Sequence, residues 1–260
     1  MAAIVDSYDA VLLDLDGVLH RGARPIPGAA ESVVALRSRG ARPVFVTNNA
    51  SRTPGQVVAH LASVGIEAAV DEVITSALVT ASALAERGLR RALVIGQDGL
   101  LEALAERGVQ SVGLEGDPEA VVVGLDRGVT YERLRDAALA VQRGAAYVAA
   151  NPDTTFPAED GNWPGAGALA AAITAAAGRS PEVMGKPAAP IFRVALARAG
   201  GTRPLVVGDR LDTDIAGAAA LGWDSCLVLT GVTSRADLAD GAFTPTYVEE
   251  DLRALVRDQA

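Results

Sequence analysis

The sequence predicts an α/β protein, a doubly wound parallel sheet into which a second α/β domain is inserted. Three observations carry that expectation. Apolar runs of strand length alternate with helical segments along the chain, the pattern of strands joined by crossovers. The runs are continuously apolar rather than alternating, as in parallel strands covered on both faces. Thr47, after one such run, and Lys186, before one helix, stand 139 positions apart. A compact sheet needs far less for one further strand and crossover.

The expected strands are 10–13, 43–46, 72–74, 92–95, 120–123, 146–149, 205–207 and 226–229. After the first of them, residues 29–36 carry an apolar helical face that Pro27 can open and Gly40 can close in the left-handed conformation. Further helices are expected at 100–107, 131–142, 168–177, 189–199 and 214–221, the last ended by Gly222. No tandem repeat or low-complexity linker interrupts the series.

Half of the 260 residues are hydrophobic, 21% are charged and 4% are aromatic, so the core is built mainly from small and aliphatic side chains. Such a chain buries a sizeable core without disulfides or a structural metal, and collagen-like, disordered and small secreted classes are excluded. The single cysteine, Cys226, excludes an internal disulfide and a cysteine-based zinc site, and no secretory signal precedes the first apolar run. The reducing cytoplasm is the expected compartment. No apolar stretch reaches the roughly 18–20 residues of a membrane span, so no membrane partner is expected. The 32 acidic and 23 basic residues give a net charge of −9, which opposes a nucleic-acid surface. His20 and His60, the only histidines, are too few and too separated in sequence for a histidine metal site or a Ser-His-Asp triad.

Where the acids sit matters more than their sum. The first strand runs into Asp14-Leu15-Asp16-Gly17, and a period of two places both aspartates toward the same side as the strand ends. Alone, this pattern also fits a solvated Asp-Gly turn. The second strand, however, ends in Thr47-Asn48-Asn49, and strand 205–207 ends in Gly208-Asp209, with Asp212 and Asp214 after it. In parallel sheets ligands gather beyond the carboxyl ends of the strands. Gly185-Lys186-Pro187 adds a cation just before helix 189–199, in a region otherwise lacking lysine. A nucleophile, a second carboxyl, a hydroxyl, a cation and further carboxylates facing one point form an inventory for phosphoryl transfer. Several aspartates at close range raise one another's pKa unless a cation holds them. Magnesium, a hard ion taking oxygen ligands in an octahedron, fits that need, with Asp14 and Asp209 suited to the role.

Taken in order, Asp14-Leu15-Asp16-Gly17, Thr47, Lys186 and Gly208-Asp209 to Asp214 make the chain resemble the haloacid dehalogenase (HAD) superfamily phosphatases over essentially its whole length. That resemblance implies a Rossmann-like HAD core and a set of roles. Asp14 is then the nucleophile that forms an aspartyl phosphate, and Asp16 protonates the leaving oxygen and afterwards activates water. Thr47 and the amide of Asn48 hold the phosphoryl oxygens, while Lys186 neutralises Asp14 and the phosphate. Mg2+ is held by Asp14, the backbone carbonyl of Asp16 and Asp209. Asp214 supports it, with Asp212 as a weaker substitute. Haloacid dehalogenases lack the equivalent of Asp16, which favours ester hydrolysis. A phosphotransferase or mutase, and a catalytically quiet binding protein that keeps the fold, stay open.

The insertion is expected at 80–183, within a catalytic core of 1–79 and 184–260. It resembles the C2-type cap of the NagD and p-nitrophenylphosphatase branch. The resemblance lies in Val123-Gly124-Leu125-Asp126 before Thr130-Tyr131, in Asn151-Pro152-Asp153, and in Pro164-Gly165-Ala166-Gly167. Such a cap shields the intermediate from water and selects the leaving group, which makes Asn151, Asp153 and Phe156 the candidates for substrate choice. Phe156 stands where pyridoxal phosphate hydrolysing relatives carry a histidine, and it serves equally well as packing within the cap. The resemblance implies a small phosphorylated metabolite as substrate, glycerol 3-phosphate or 2-phosphoglycolate first. Nucleoside monophosphates, sugar phosphates and pyridoxal phosphate follow, and a monomer or homodimer is expected. Gly165-Ala166-Gly167-Ala168-Leu169-Ala170 formally fits a dinucleotide fingerprint. It is set aside because Trp163-Pro164, rather than a strand, is expected before it.

Overall fold

The computed structural model describes residues 2–158, 160–238 and 242–258. In chain order the strands are β1 Ala10–Leu13, β2 His20–Arg21, β3 Arg24–Pro25, β4 Arg42–Thr47, β5 Val73–Thr75, β6 Arg91–Ile95, β7 Gln110–Ser111, β8 Ala120–Val123, β9 Ala146–Ala149, β10 Thr155–Ala158, β11 Gly161–Pro164, β12 Glu182–Val183, β13 Pro204–Gly208, β14 Asp224–Val228 and β15 Tyr247–Glu249. The helices are α1 Ala29–Ser38, α2 Pro54–Ser63, α3 Ser76–Glu86, α4 Asp98–Glu106, α5 Tyr131–Gln142, α6 Ala166–Ala177, α7 Ala189–Ala199, α8 Ala216–Leu221 and α9 Arg253–Val256. They form two compact units. Unit one takes the chain up to Thr47, Pro54–Ile74 and the chain from Pro187 onward; unit two takes Asn48–Thr53 and Thr75–Lys186.

Unit one is built on a six-stranded sheet ordered β15-β14-β13-β1-β4-β5. Pairing is parallel from β15 through β4. Every residue of β1 and of β13 is buried, which requires cover on both faces, since successive side chains point to opposite sides. The chain passes from β1 to β4 on one side and places β13 on the other, so the strand order reverses at β1. Ligand sites of such sheets lie at that reversal, beyond the carboxyl ends. The register aligns those ends: Leu13 stands opposite Phe45 and Val207, so Asp14, Thr47 and Asp209 leave the sheet along one edge.

Helices α4 and α6 each start two residues before the expected position, and the starts of α1 and α8 differ from expectation for a local reason. Pro27 does not open α1. It lies in the turn before it, and Gly28, at φ +83°, is the residue from which the helix departs at Ala29. A left-handed residue there ends any continuation of helix toward Pro27. In the second case, residues 211–215 form a wide π-type turn, and α8 begins only at Ala216. Such widened turns recur where a functional side chain must be re-aimed, and here the turn brings Asp214 against Gly208. Gly40 and Gly222 both take the left-handed conformation after α1 and α8, as expected.

Unit two carries its own parallel sheet, ordered β12-β9-β8-β6-β7. Its apolar cluster includes Leu93, Ile95, Val121, Val123, Val141, Tyr147 and Ile173. Asp126 and Thr130 fix the β8–α5 connection. Buried Asp126 accepts the Gly128 N–H at 2.9 Å and pairs with Arg133, which also donates to the Val94 carbonyl at 2.8 Å. Thr130 caps α5 by accepting the Arg133 N–H at 3.4 Å. The expectation of no strand before Gly165 is corrected: Trp163 and Pro164 belong to β11, which pairs antiparallel with β10. This two-stranded hairpin tolerates Pro164 because each strand has an open edge that needs no donor. It is not the parallel strand of a βαβ unit, so the dinucleotide fingerprint still lacks its context.

Cys226 is fully buried in β14, and burial pushes its thiol pKa well up, so the one cysteine is an inert core residue. Among the described residues no helix is long and apolar enough to cross a membrane. Phe45, in β4, is among the largest fully buried side chains of unit one. Phe45→Ala is expected to lower the stability of that unit by about 3–5 kcal/mol, read as a shift in its urea midpoint; an unchanged midpoint would contradict the packing described.

Candidate active site

The carboxyl ends of β1 and β13 deliver three aspartates to one point. Asp14, Asp209 and Asp214 each bring a carboxylate oxygen within 4.8 Å of the others, and Asp209 and Asp214 are buried. Three ionised carboxylates this close repel strongly unless a cation lies among them. The donor set is all oxygen, which suits a hard divalent ion such as Mg2+. Glycines make the crowding possible. A Cβ on Gly208 would overlap the Asp214 carboxyl, and one on Gly17, already at φ +85°, would run into Asp209. Main-chain donors then hold Asp209: Val232 N–H reaches its Oδ2 at 2.7 Å and Thr233 N–H its carbonyl at 3.1 Å. Thr213 Oγ1 donates to Asp214 at 3.2 Å. Asp212 stands apart, its side chain 68% exposed and paired with Arg210 at 2.7 Å, so the geometry separates it from Asp214. Thr47 ends β4 as a buried hydroxyl.

Asp16 has different neighbours from Asp14, although only Leu15 lies between them. The alternation stops because β1 ends at Leu13, and the Leu15 carbonyl accepts the N–H groups of Val18, Leu19 and His20 at 3.3, 2.8 and 3.3 Å. In the resulting tight turn, Asp16 Oδ1 accepts the Gly22 N–H at 3.1 Å and lies 3.5 Å from His20 Nδ1. Although the Asp16 side chain is 60% exposed, its partial desolvation would by itself raise the pKa. The His20 ring and the Gly22 amide outweigh it, with His60 adding to the effect, and hold the carboxyl below the usual carboxylate range.

A second constellation belongs to unit two and centres on Asn48. Its side chain grips the main chain of Lys186 from both ends: Oδ1 accepts the Lys186 N–H at 2.7 Å, and Nδ2 donates to the Lys186 carbonyl at 3.0 Å. Nδ2 also donates to Asp153 Oδ2 at 3.2 Å. The Asn48 carbonyl accepts from Asn151 Nδ2 and Ser76 Oγ, each at 2.7 Å, and Asn151 Oδ1 in turn accepts the Asp153 N–H at 3.1 Å. Gly185 leaves no room for a side chain, since its Cβ would stand 2.5 Å from both the Ala150 carbonyl and Asn48 Oδ1.

Asn48, Asn151, Asp153 and Lys186 thus come together, and the sequence reading missed Ser76 and Gly185 as part of the same network. Phe156 does not join them; half-buried in β10, its ring meets Trp163 edge-on with centroids 5.8 Å apart. Lys186 is the only lysine among 23 basic residues, and it is 3% exposed. A count by residue type, rather than its neighbourhood, is the signal in the sequence that marks it.

The haloacid dehalogenase-like hydrolase profile matches residues 11–110, and the HAD-hydrolase-like profile matches residues 183–255. The chain is 44% identical over 263 residues to the D-glycerol 3-phosphate phosphatase of Mycobacterium tuberculosis, a match covering 99% of this chain and 74% of that protein. A crystal structure of a glycerol phosphate phosphatase from that organism, in complex with magnesium, matches at a TM-score of 0.93 with 43% identity, covering 99% of this chain and 79% of that one. An acid sugar phosphatase of Staphylococcus epidermidis is 38% identical over 254 residues, 96% of this chain and 98% of that protein. NagD from Escherichia coli matches at a TM-score of 0.89 with 32% identity, covering 95% and 97% of the two chains. Full-length identity at this level, over a sheet that sets an aspartate trio at its carboxyl edge, shows that the chain belongs to the haloacid dehalogenase-like hydrolases, in the branch of the NagD-like phosphatases.

Proposed function

We propose that the protein is a magnesium-dependent phosphatase of small phosphate monoesters, with glycerol 3-phosphate or 2-phosphoglycolate as its substrate. The observation that carries the reading is the trio of Asp14, Asp209 and Asp214 at the carboxyl edge of a parallel sheet, in a chain whose relatives are phosphatases. The M. tuberculosis relative supports a glycerol phosphate substrate. The S. epidermidis relative favours sugar phosphates as the second reading, with nucleoside monophosphates and pyridoxal phosphate behind. The proposal places the enzyme in the cytoplasm, as a monomer or homodimer that acts on small metabolites. The net charge of −9 supports a partner list without nucleic acid.

In this reading Mg2+ is held by Asp14, the carbonyl of Asp16 and Asp209, with Asp214 supporting through hydrogen bonds or water; bound there, it offsets the charge of the acids and of the phosphoryl oxygens. The Asp14 carboxylate attacks phosphorus, the bond to the ester oxygen breaks, and Asp16 gives that oxygen a proton. Asp16, now a carboxylate, takes a proton from the water that attacks the aspartyl phosphate, releasing inorganic phosphate and restoring Asp14. Its lowered pKa suits this second half, and an arriving phosphate dianion raises it for the first. Thr47 and the Asn48 N–H hold phosphoryl oxygens, and Lys186 neutralises Asp14 and the phosphate. Unit two serves as the cap that selects the leaving group, through Asn151, Asp153 and the neighbourhood of Phe156.

Three outcomes test the reading. Asp14→Asn should lower magnesium-dependent release of phosphate from p-nitrophenyl phosphate by at least ~10³-fold while the circular dichroism spectrum is kept; near-normal turnover would remove Asp14 as nucleophile. Asp214→Asn should cost roughly 10- to 100-fold, as outer-shell supports of metal sites do. The matching change at exposed Asp212 should leave the rate nearly untouched, and equal losses at the two positions would dissolve the distinction drawn between them. In a panel of phosphorylated metabolites, two- and three-carbon esters should exceed nucleotides in kcat/KM. The reverse order would transfer the enzyme to the nucleotidases without disturbing the chemistry.

A further inference from the structure

We propose that His20 is a positioning residue for Asp16, and that its buried Nδ1–H sets the carboxyl in the orientation that delivers a proton to the leaving oxygen. The inference rests on the reading of Asp16 as proton donor and goes beyond it by naming what aims that donor.

The chain has two histidines, 40 positions apart, and unit one brings them together with ring centroids 4.5 Å apart and planes at 85°. His20 is 6% exposed. Both of its ring nitrogens are buried with no hydrogen-bond partner among the described residues. Buried polar atoms are almost always satisfied, so an exception calls for an explanation. The carboxylate oxygen facing Nδ1 is Asp16 Oδ1, at 3.5 Å, just outside good hydrogen-bond range. Catalytic hydrogen bonds are commonly long in ligand-free enzymes and shorten when substrate is bound. A small movement of the Asp16 carboxyl closes this one.

The surroundings hold His20 in place for that contact. Asp16 Oδ1 accepts the Gly22 N–H at 3.1 Å. The Gly22 carbonyl lies 3.1 Å from His60 Nε2, and because a carbonyl only accepts, that nitrogen carries the proton. The His60 ring then meets the His20 ring edge to face, and His20 returns to Asp16, so the four groups close a circuit. The main chain of the turn is pinned as well: His20 carbonyl accepts the Gly17 N–H at 2.7 Å, and the Gly17 carbonyl accepts from Thr230 Oγ1 at 2.6 Å. A phenylalanine would fill the same space against His60. What only histidine supplies is the nitrogen.

The experiment compares kcat/KM on two esters. Glycerol 3-phosphate, or the best alkyl phosphate of the metabolite panel, leaves as an alkoxide that needs a proton. p-Nitrophenyl phosphate leaves as a phenolate that needs little help. kcat/KM reports only steps up to loss of the leaving group, and the ratio of the two values cancels any misfolded fraction. His20→Phe should lower the alkyl-to-nitrophenyl ratio roughly tenfold, in the same direction as Asp16→Ala and less far. His20→Asn, whose amide nitrogen reaches the place of Nδ1, should keep the ratio near that of the unaltered enzyme. Equal losses of His20→Phe on both esters, or a lower ratio for His20→Asn than for His20→Phe, would show that the ring only packs the turn. If Asp16→Ala leaves the ratio unchanged, the donor role of Asp16 falls and the inference with it. If Asp16→Ala lowers the ratio and His20→Phe does not, the inference alone falls.

Discussion

Mutual repulsion among Asp14, Asp209 and Asp214 is the constraint on which unit one depends. Folding must gather three carboxylates within 4.8 Å, an arrangement that opposes the folded state until a cation offsets it. The scaffold answers with rigidity. Parallel strands buried along their whole length set β1 and β13 in a fixed register, Gly17 and Gly208 remove the side chains that would hold the acids apart, and the Val232 N–H points at the Asp209 carboxylate. A cation that binds only this folded arrangement adds its binding free energy to stability. The same crowding of oxygen donors fits a small, hard ion better than a large or soft one.

The cationic side is organised by residue type. Among 23 basic residues, 22 are arginines, and many are spent on surface pairs such as Arg37 with Glu72 at 2.7 Å and Arg87 with Glu182 at 2.6 Å. Pairs of that kind contribute little each. The guanidinium is a planar fork suited to carboxylate partners, whereas an ammonium is a compact point charge on a flexible stem. Restricting lysine to the one buried position whose peptide Asn48 holds at both ends reserves the compact charge for that position and leaves the fork to the rest of the chain.

Much of this was legible in the sequence, for a physical reason. Strands 10–13, 120–123 and 146–149 and helices 131–142 and 189–199 coincide with the observed elements because burial on both faces leaves uninterrupted apolar runs, and caps or glycines stand at their ends. The β10–β11 hairpin was not legible: Thr-Phe-Pro-Ala and Gly-Asn-Trp-Pro show neither alternation nor a β-branched run, and their prolines argue against a strand. Nor was the widened turn at 211–215, which depends on Asp214 reaching Gly208 rather than on local propensity. The side chain of Asn48 illustrates the same limit. A strand-end amide reads as a ligand for phosphate, yet its oxygen and nitrogen are taken up by Lys186 and Asp153, partners more than 100 positions away. His20 and His60 are a pair only in three dimensions, and their separation in sequence argues only against a histidine metal site or a Ser-His-Asp triad.

The fate of Asp14 and Asp16 shows how local geometry sorts chemically identical groups. A continued strand would have set both carboxyls on one face and made them competitors for the same cation. The turn that begins at Leu15 prevents this. With the Leu15 carbonyl taking three N–H groups and Gly17 at φ +85°, Asp14 is left among acids, whereas Asp16 is carried to the Gly22 amide and the His20 ring. Opposed environments are what allow two carboxyls to divide nucleophilic and acid–base work, the division proposed for Asp14 and Asp16. The sorting is therefore written less in the Asp-x-Asp spacing than in the turn after it, where a glycine and a carbonyl decide which aspartate joins the acidic trio and which meets the histidine.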